Sequence, residues 1–253
     1  VNTADLGRRL QQAILGDAVR LLPDGPITLA PTARLHGLAW SLLPTLHDRP
    51  FSIVPSAGQW LRATATERPD PRRTLLVAGP DLESGGAEVP ILASRHPDAL
   101  LLDGSNATLA AVVEVLDGAN LAHLATHGHF RADSPLFSAL DLADGPLTVH
   151  DLERLRRAPY RVVLSACESG VLAPVGAQEL LGLAAALFSL GTAGLVSSVG
   201  EVNDAATADL MVGLHDGLAR GEDPATALHA VRRTAAGDPV AAGTAAAFLA
   251  LGV

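Results

Sequence analysis

The sequence predicts an α/β fold with a mainly parallel central sheet flanked by helices. From residue 74 onward, short apolar runs alternate with helical patterns, which is typical of a parallel sheet. The predicted strands are TLLVA (74–78), ALLLDG (99–104), LAHLAT (121–126), RVVLSA (161–166) and AGLVSSV (193–199), and the predicted helices lie near 85–95, 106–117, 179–190, 205–220 and 223–236. With 253 residues, 48% of them hydrophobic, the chain has enough apolar material for one sizeable core.

The first part of the chain predicts a small α/β extension in front of that core. Residues 3–22 carry apolar side chains at helical spacing, with Thr3 placed to cap the helix. ITLAP (27–31) and FSIVP (51–55) predict strands that each end at a proline, and Ser56 is placed to cap a following helix. We therefore expect three parts: an N-terminal extension (1–66), a polar linker (67–73) and the main core (74–253).

Composition and charge exclude several classes of protein. The formal net charge of −9 and the lack of a concentrated basic cluster argue against nucleic-acid binding. No apolar run is long enough to span a bilayer, so we expect no membrane segment. One cysteine cannot form an internal disulfide, and no leader opens the chain, so we expect a cytoplasmic protein. All 18 basic residues are Arg, and Ala and Gly are abundant, which indicates a GC-rich bacterial gene.

The single cysteine lies where a strand of the predicted sheet ends. Val162, Val163 and Leu164 form an apolar run, and Cys167 follows as the run gives way to polar residues and glycine. In open α/β sheets the carboxyl edge is where ligands bind. Taken by itself, however, a lone cysteine is more often buried and inert.

A histidine and a glycine follow another predicted strand. LAHLAT leads into His127 and Gly128, so His127 is expected to reach the same edge as Cys167. A histidine beside a cysteine favours the thiolate, which is the reactive nucleophile. The backbone N–H groups of Gly128 and Cys167 are candidate donors to an oxyanion. Taken by itself, a histidine at a strand end is also more often structural.

Two motifs stand out in this order: His123-Leu124-Ala125-Thr126-His127-Gly128 and LSACESG at 164–170. Together they resemble the CHAT family, the relatives of caspases and separases. The blocks SALDLADGPLTVHDL (138–152), AQELLGLAAALFSLGTAGLVSS (177–198), NDAATADLM (203–211), ITLAPTARLHGLAWSLLP (27–44) and IVPSAGQWL (53–61) also resemble family blocks in family order. The resemblance covers nearly the whole chain and implies a caspase-like three-layer fold.

By this resemblance the chain is expected to be a cysteine endopeptidase, with Cys167 as nucleophile and His127 as the catalytic histidine. His123 lies on the same strand face as His127 by period-two counting, and we expect it to be buried and structural. His129 either lines the cleft or faces solvent. The resemblance also implies a protein or peptide substrate and a regulatory sensor or partner, because family members are often fused to sensing modules.

One position departs from the family pattern and bears on specificity. Many relatives carry a Trp in a W-x-V-x-D block, whereas this chain has Gly200 at that place and keeps the acid as Asp204. The resemblance to separases, in which this acid meets a basic substrate side chain, implies that Asp204, helped by Glu201, is a candidate for binding such a side chain. The alternative is that Asp204 caps a helix beginning at Ala205.

Four alternatives to the peptidase function differ in how well the sequence supports them. The same fold can be a catalytically idle module that only binds partners. His123, His127 and His129 recur at strand spacing, but no acid at a matching spacing supports a metal site, and we expect no metal and no cofactor. Serine-hydrolase and dinucleotide-binding signatures are missing from the sequence.

Overall fold

The computed structural model describes residues 3–32, 35–36, 38–70, 72–82, 86–129, 138–165, 184–200 and 202–253. The strands are β1 (Ile27–Leu29), β2 (Phe51–Ile53), β3 (Thr74–Ala78), β4 (Leu100–Leu102), β5 (Leu121–Ala125), β6 (Gly128–His129), β7 (Ala139–Leu142), β8 (Gly145–Thr148), β9 (Arg161–Ser165), β10 (Gly194–Ser198) and β11 (Phe248–Gly252). The α-helices are α1 (Thr3–Ile14), α2 (Pro44–His47), α3 (Ala57–Ala65), α4 (Glu88–Arg95), α5 (Leu109–Leu116), α6 (Val149–Leu152), α7 (Asp204–Ala219), α8 (Pro224–Ala235) and α9 (Pro239–Ala247). Residues 184–189 are also helical.

Eight strands form one mainly parallel sheet, in the order β1-β2-β11-β10-β9-β5-β3-β4. Every neighbouring pair is parallel except β10 and β11, which are antiparallel. A separate three-stranded antiparallel sheet has the order β6-β7-β8 and follows directly on β5. The predicted α/β class with a mainly parallel sheet is confirmed.

Helices cover both faces of the large sheet, as the apolar strands require. Alternate residues of one strand enter different cores: Val162 and Leu164 of β9 pack with α5, α6 and the helical residues 184–189, whereas Val163 packs with α7 and α8. On the second face, Leu76 of β3 packs against α4. The sheet is thus the middle of three layers. The polar loops lie at the two ends of its strands.

The predicted strands of the core agree with the structure to within about one residue for β3, β5, β9 and β10. Ser56 caps α3 as predicted, because its hydroxyl accepts a hydrogen bond from the Gln59 N–H at 3.2 Å. The helix predicted over residues 3–22 instead ends at Ile14 and is followed by a 3₁₀ turn at Gly16–Leu21. Gly16 has a positive φ of 49°, which a continuous α-helix through this position does not accommodate.

Other elements went unpredicted. The alanine-rich α9 and the strand β11 lack a clear period, and the short strands β6, β7 and β8 are too brief to give one. Part of the helix predicted near 179–190 lies outside the described residues.

Strand β11 joins the N-terminal strands to the rest of the sheet. It pairs with β10 on one side and with β2 on the other, where Leu251 lies opposite Ile53. The first 66 residues therefore add β1 and β2 to the same sheet as the remaining strands. The division into an extension (1–66), a linker (67–73) and a core (74–253) stays a prediction.

We expect Gly252→Ala to destabilise the fold, because Gly252 has a φ of 83° and an added Cβ would collide with the carbonyl oxygen of Ala193. The loss in the free energy of unfolding should be about 2–4 kcal/mol, measured by urea denaturation. Gly243→Ala is the control, since a Cβ there meets no atom within 4 Å and favours helix α9 by about 0.5–1 kcal/mol. Equal stability of the two variants would contradict this role of Gly252.

Candidate active site

The candidate site lies at the carboxyl edge of the large sheet, where β5 and β9 end side by side. These strands are parallel neighbours, and Ala125 lies opposite Ser165 in their register. His127 comes two residues after Ala125, and Cys167 comes two residues after Ser165. Cys167 itself lies outside the described residues. The chain therefore leaves the same edge of the sheet at both of these points.

The backbone around His127 is held by the small sheet. The Thr126 hydroxyl donates a hydrogen bond to the carbonyl of Asp141, and the Asp141 N–H donates to the carbonyl of His127 at 2.9 Å. Gly79 passes so close that a Cβ there would overlap the Thr126 side chain. Position 79 therefore requires glycine, because the chain that follows β3 passes very close to the end of β5. This close packing restricts the end of β5.

The ring of His127 is oriented by a main-chain carbonyl. His127 Nε2 lies 2.9 Å from the carbonyl oxygen of Asp81. Because a carbonyl oxygen only accepts, Nε2 carries the hydrogen, and in the neutral ring the lone pair is on Nδ1. Asp81 has a positive φ of 55°. This conformation is unfavourable for most residues other than glycine, and Asp tolerates it better than most of them. This turn aims the Asp81 carbonyl at the ring.

Gly128 and His129 form strand β6, which pairs with β7. Gly128 is buried, whereas the His129 side chain is 64% exposed. His129 Nε2 lies 2.8 Å from Asp141 Oδ2. His129 thus contacts Asp141 of the small sheet. The backbone N–H of the same Asp141 donates to the carbonyl of His127.

His123 is completely buried, as the sequence predicted, and it belongs to a chain of buried polar side chains. His123 Nδ1 lies 3.1 Å from Nε2 of His215 on α7, and His123 Nε2 lies 3.4 Å from Oε1 of Glu88 on α4. The Ser165 hydroxyl, at the end of β9, donates a hydrogen bond to the Glu88 carboxylate. We name this set, His215, His123, Glu88 and Ser165, the buried polar chain.

Two members of the buried polar chain have shifted pKa values. Burial raises the pKa of Glu88, but its contacts with His123 and the hydrogen bond from Ser165 outweigh burial, so the pKa lies below the ordinary value of 4.5. The pKa of His215 lies well below the ordinary 6.5, because burial disfavours the imidazolium and the rings of His123 and His96 add repulsion. Glu88 is therefore ionised and His215 neutral at neutral pH.

Asp204 is exposed at the first turn of α7, which starts beyond the carboxyl end of β10. The alternative in which Asp204 caps this helix is wrong. Asn203 is the cap, since its side-chain oxygen accepts from the Ala206 N–H at 3.0 Å. The helix begins one residue earlier than the pattern predicted. Glu201, the second candidate for specificity, lies outside the described residues.

The three histidines of this segment, His123, His127 and His129, have no partner in common. His123 contacts His215 and Glu88, His127 bonds to the Asp81 carbonyl, and His129 pairs with Asp141. Among the described residues, no group of three or more His, Cys, Asp or Glu side chains is placed to hold a metal ion. In the same part of the chain, no helix is long and apolar enough to cross a membrane.

Several residues of the site could not be identified from the sequence alone. Asp81, Asp141, Glu88 and His215 are separated from the motif by many positions, and no local pattern links them to it. The one available signal was Thr126-His127-Gly128 itself, because a threonine and a glycine around a histidine indicate a tightly held turn. The partners on α4 and α7 follow only from the packing of the layers.

Comparison with known proteins agrees with this architecture. The CHAT domain family model matches residues 4–246. No curated protein matches the chain. Two crystal structures of the separase–securin complex of Saccharomyces cerevisiae are similar to it, with TM-scores of 0.65 and 0.63 and 14% identity. The similar region covers 89% of this chain but only 15% of the separase chain. At this identity the likeness shows the fold alone, and it confirms the caspase-like fold.

The buried polar chain predicts that stability falls as the pH is lowered. Below about pH 6.5 the His215 ring takes up a proton in the unfolded chain but not in the folded one. Its contribution to the free energy of unfolding is therefore fully present above that pH and decreases below it. Glu88, with its lowered pKa, adds a second loss below about pH 4.5. For each proton that only the unfolded state binds, the free energy of unfolding falls by up to about 1.4 kcal/mol per pH unit as the pH is lowered.

Urea denaturation between about pH 5 and 7 measures this slope. We expect a smaller slope for His215→Gln than for the wild type, whatever the absolute stability of the variant. His150→Gln is the control, because His150 is exposed on α6. An unchanged slope in His215→Gln would show that the buried ring is not responsible.

Proposed function

The chain belongs to the CHAT domain family, and on that premise we propose that it is a cysteine endopeptidase with Cys167 and His127 as its catalytic pair. The observation that carries the proposal is the register of β5 and β9. Ala125 lies opposite Ser165, and the two reactive side chains follow these residues at equal distance along the chain. Parallel neighbours that end together bring such residues to one edge, where sites of α/β sheets lie.

The orientation of His127 also supports the proposal. With its Nε2 hydrogen donated to the Asp81 carbonyl, the ring offers Nδ1 to accept the thiol proton. The carbonyl also stabilises the imidazolium that forms when this proton is accepted. A main-chain acceptor thus fills the orienting role that a carboxylate has in other catalytic sites.

The proposed reaction has two halves. The Cys167 thiolate attacks the carbonyl carbon of a peptide bond, and the imidazolium of His127 gives its proton to the leaving amine. Water then attacks the thioester, again with His127 accepting the proton, and the carboxylic acid and free thiol are released. The overall reaction is hydrolysis of one peptide bond, and it requires no cofactor.

The backbone pairing around Gly128 supports its proposed role as an oxyanion donor. The Asp141 N–H donates to the His127 carbonyl, so His127 and Asp141 form a hydrogen-bonded pair of the β6–β7 ladder. The adjacent pair, Gly128 and Leu140, is then a non-hydrogen-bonded one. The Gly128 N–H therefore points away from β7, and with the Cys167 N–H it would hold the negative oxygen of the tetrahedral intermediate.

We further propose that Asp204 contributes to substrate specificity, with help from Glu201. Asp204 is exposed in the first turn of a helix at the carboxyl edge, and the capping role belongs to Asn203. A carboxylate there would form a charge-assisted hydrogen bond with Arg or Lys of a substrate. The large aromatic ring of related sequences is replaced by Gly200.

Control by a sensor or partner protein completes the proposal. The segment after the nucleophile, residues 168–179, contains no Arg, Lys or Asp. An enzyme that prefers basic residues would not cut itself there, and activation would be conformational. The separase of the similar structures is itself in complex with a protein, securin.

Cys167→Ala and His127→Ala should each abolish peptide cleavage, because each removes one half of a unit that works jointly. Hydrolysis of a peptide library measures the loss, and circular dichroism checks that the fold is intact. His150→Ala, on the exposed face of α6, should keep wild-type activity. His123→Ala should chiefly lower stability, since it interrupts the buried polar chain. Near wild-type turnover by Cys167→Ala would refute the mechanism.

Asp204→Asn should weaken a preference for Arg or Lys at the cleaved bond while leaving hydrolysis of other peptides unchanged. Profiling with a peptide library gives kcat/KM for each residue, and a loss of about tenfold for basic residues is expected for one charged contact. Asp209→Asn is the matched control, because Asp209 is exposed on the same helix further from its start. Cleavage after apolar or acidic residues would contradict the role of Asp204.

A further inference from the structure

A pocket lies at the amino-terminal ends of the central strands of the large sheet, whereas His127 follows the carboxyl-terminal end of β5. Thr74, Leu121 and Arg161 line it, and they are the first residues of β3, β5 and β9. Its volume is about 180 Å³. Of the ten residues that line it, three are arginines, Arg68, Arg72 and Arg161, and none is acidic. We name it the arginine pocket.

Arg161 is the most unusual of these side chains, because it is buried and has no ion pair among the described residues; its guanidinium carbon lies 5.4 Å from the centre of the Tyr160 ring. Only 7% of the residue is exposed. Its Nη1 donates to the carbonyl of Glu222 at 3.0 Å, whereas its Nε has no hydrogen-bond partner in the described part of the chain. Burial lowers the pKa of Arg161 below its ordinary value, and the positive charge of Arg68 acts in the same direction, while Tyr160 and Asp223 partly oppose it. Arginine is almost never buried unless its charge is paired.

Two further polar atoms at the pocket lack partners. His96 Nε2 and Asn120 Oδ1 are buried, and neither has a hydrogen bond within the described residues. A donor is therefore needed opposite the Asn120 oxygen, and an acceptor suits the Nε2 of His96 when that nitrogen carries its hydrogen. A protonated phosphate offers both, since it has acceptor oxygens and one or more P–OH donors. A carboxylate offers acceptors only.

The size of the pocket limits the ligand. A volume of about 180 Å³ is below the roughly 300–1,000 Å³ typical of pockets for drug-sized ligands. It suits one tetrahedral anion or the end of a larger molecule. Guanidinium groups bind phosphate oxygens through paired N–H donors, which favours this anion over a simple halide.

From these observations we propose that the arginine pocket is a binding site for a phosphate group, either inorganic phosphate or the terminal phosphate of a small monoester. The anion would compensate the charge of the buried Arg161, and Arg68 and Arg72 would complete the set of donors at the half-buried and exposed side of the pocket. The site lies at the amino edge of the sheet, so it is separate from the proposed peptidase centre and does not depend on that activity.

Isothermal titration calorimetry on the wild-type chain in phosphate-free buffer tests the proposal. Inorganic phosphate, glycerol 3-phosphate and acetate are titrated separately, and acetate is also titrated into the phosphate-bound chain to measure displacement. We expect saturable binding of one phosphate per chain and no displacement by acetate at equal concentration. Binding of inorganic phosphate alone identifies the free ion as the ligand, and tighter binding of the monoester identifies a terminal phosphate. Either result supports the site.

Variants locate the binding within the chain. Arg161→Gln risks misfolding, so Arg68→Gln and Arg72→Gln, with circular dichroism as a folding check, carry the test. Each should weaken phosphate binding about tenfold, as expected for loss of a charged hydrogen bond. Arg154→Gln is the control, since it removes the same charge from an exposed position away from the pocket. No saturable binding, equal displacement by acetate, or equal weakening by Arg154→Gln would overturn the proposal.

Discussion

The parallel pairing of β5 with β9 is the constraint on which the rest of the site depends. Its register, with Ala125 opposite Ser165, determines where the chain leaves the sheet after each strand. A slip of one residue would turn every side chain of one strand to the other face, and Val162 and Leu164 would then leave the core that they share with α5 and α6. The burial of apolar side chains on both faces therefore fixes the position of polar residues at the edge.

The buried polar chain places a second constraint on the same two strands. His123 of β5 and Ser165 of β9 both contact Glu88, which is buried at the first turn of α4. Removing an ionised carboxylate from water is costly unless its partners are well placed. The contacts thus favour one arrangement of the two strands and the helix over others that would leave Glu88 unpaired. His215 extends this arrangement to α7 and lines the arginine pocket on the far side.

Local sequence patterns predicted the fold well where an element is long and apolar. TLLVA (74–78) and RVVLS (161–165) each form a strand that is buried on both faces, and their runs of Val and Leu indicate this directly. The strand β11 and the small sheet were missed because alanine-rich or very short segments have no distinct period. Within the site, His127, Gly128 and the buried state of His123 follow from one motif. Asp81, Glu88 and Asp141 could not be predicted, since they reach the motif only through the packing of distant elements.

The central claim is that His127 activates Cys167, and the rate of cysteine alkylation tests it most directly. Iodoacetamide reacts with the thiolate, so the rate at about pH 6 reports how far a neighbouring group favours that form. Cys167 is the only cysteine of the chain, and mass spectrometry therefore follows one modification. We predict that the wild type reacts about tenfold or more faster than a folded His127→Ala variant. Equal rates for the two proteins would show that His127 does not act on the thiol and would contradict the account.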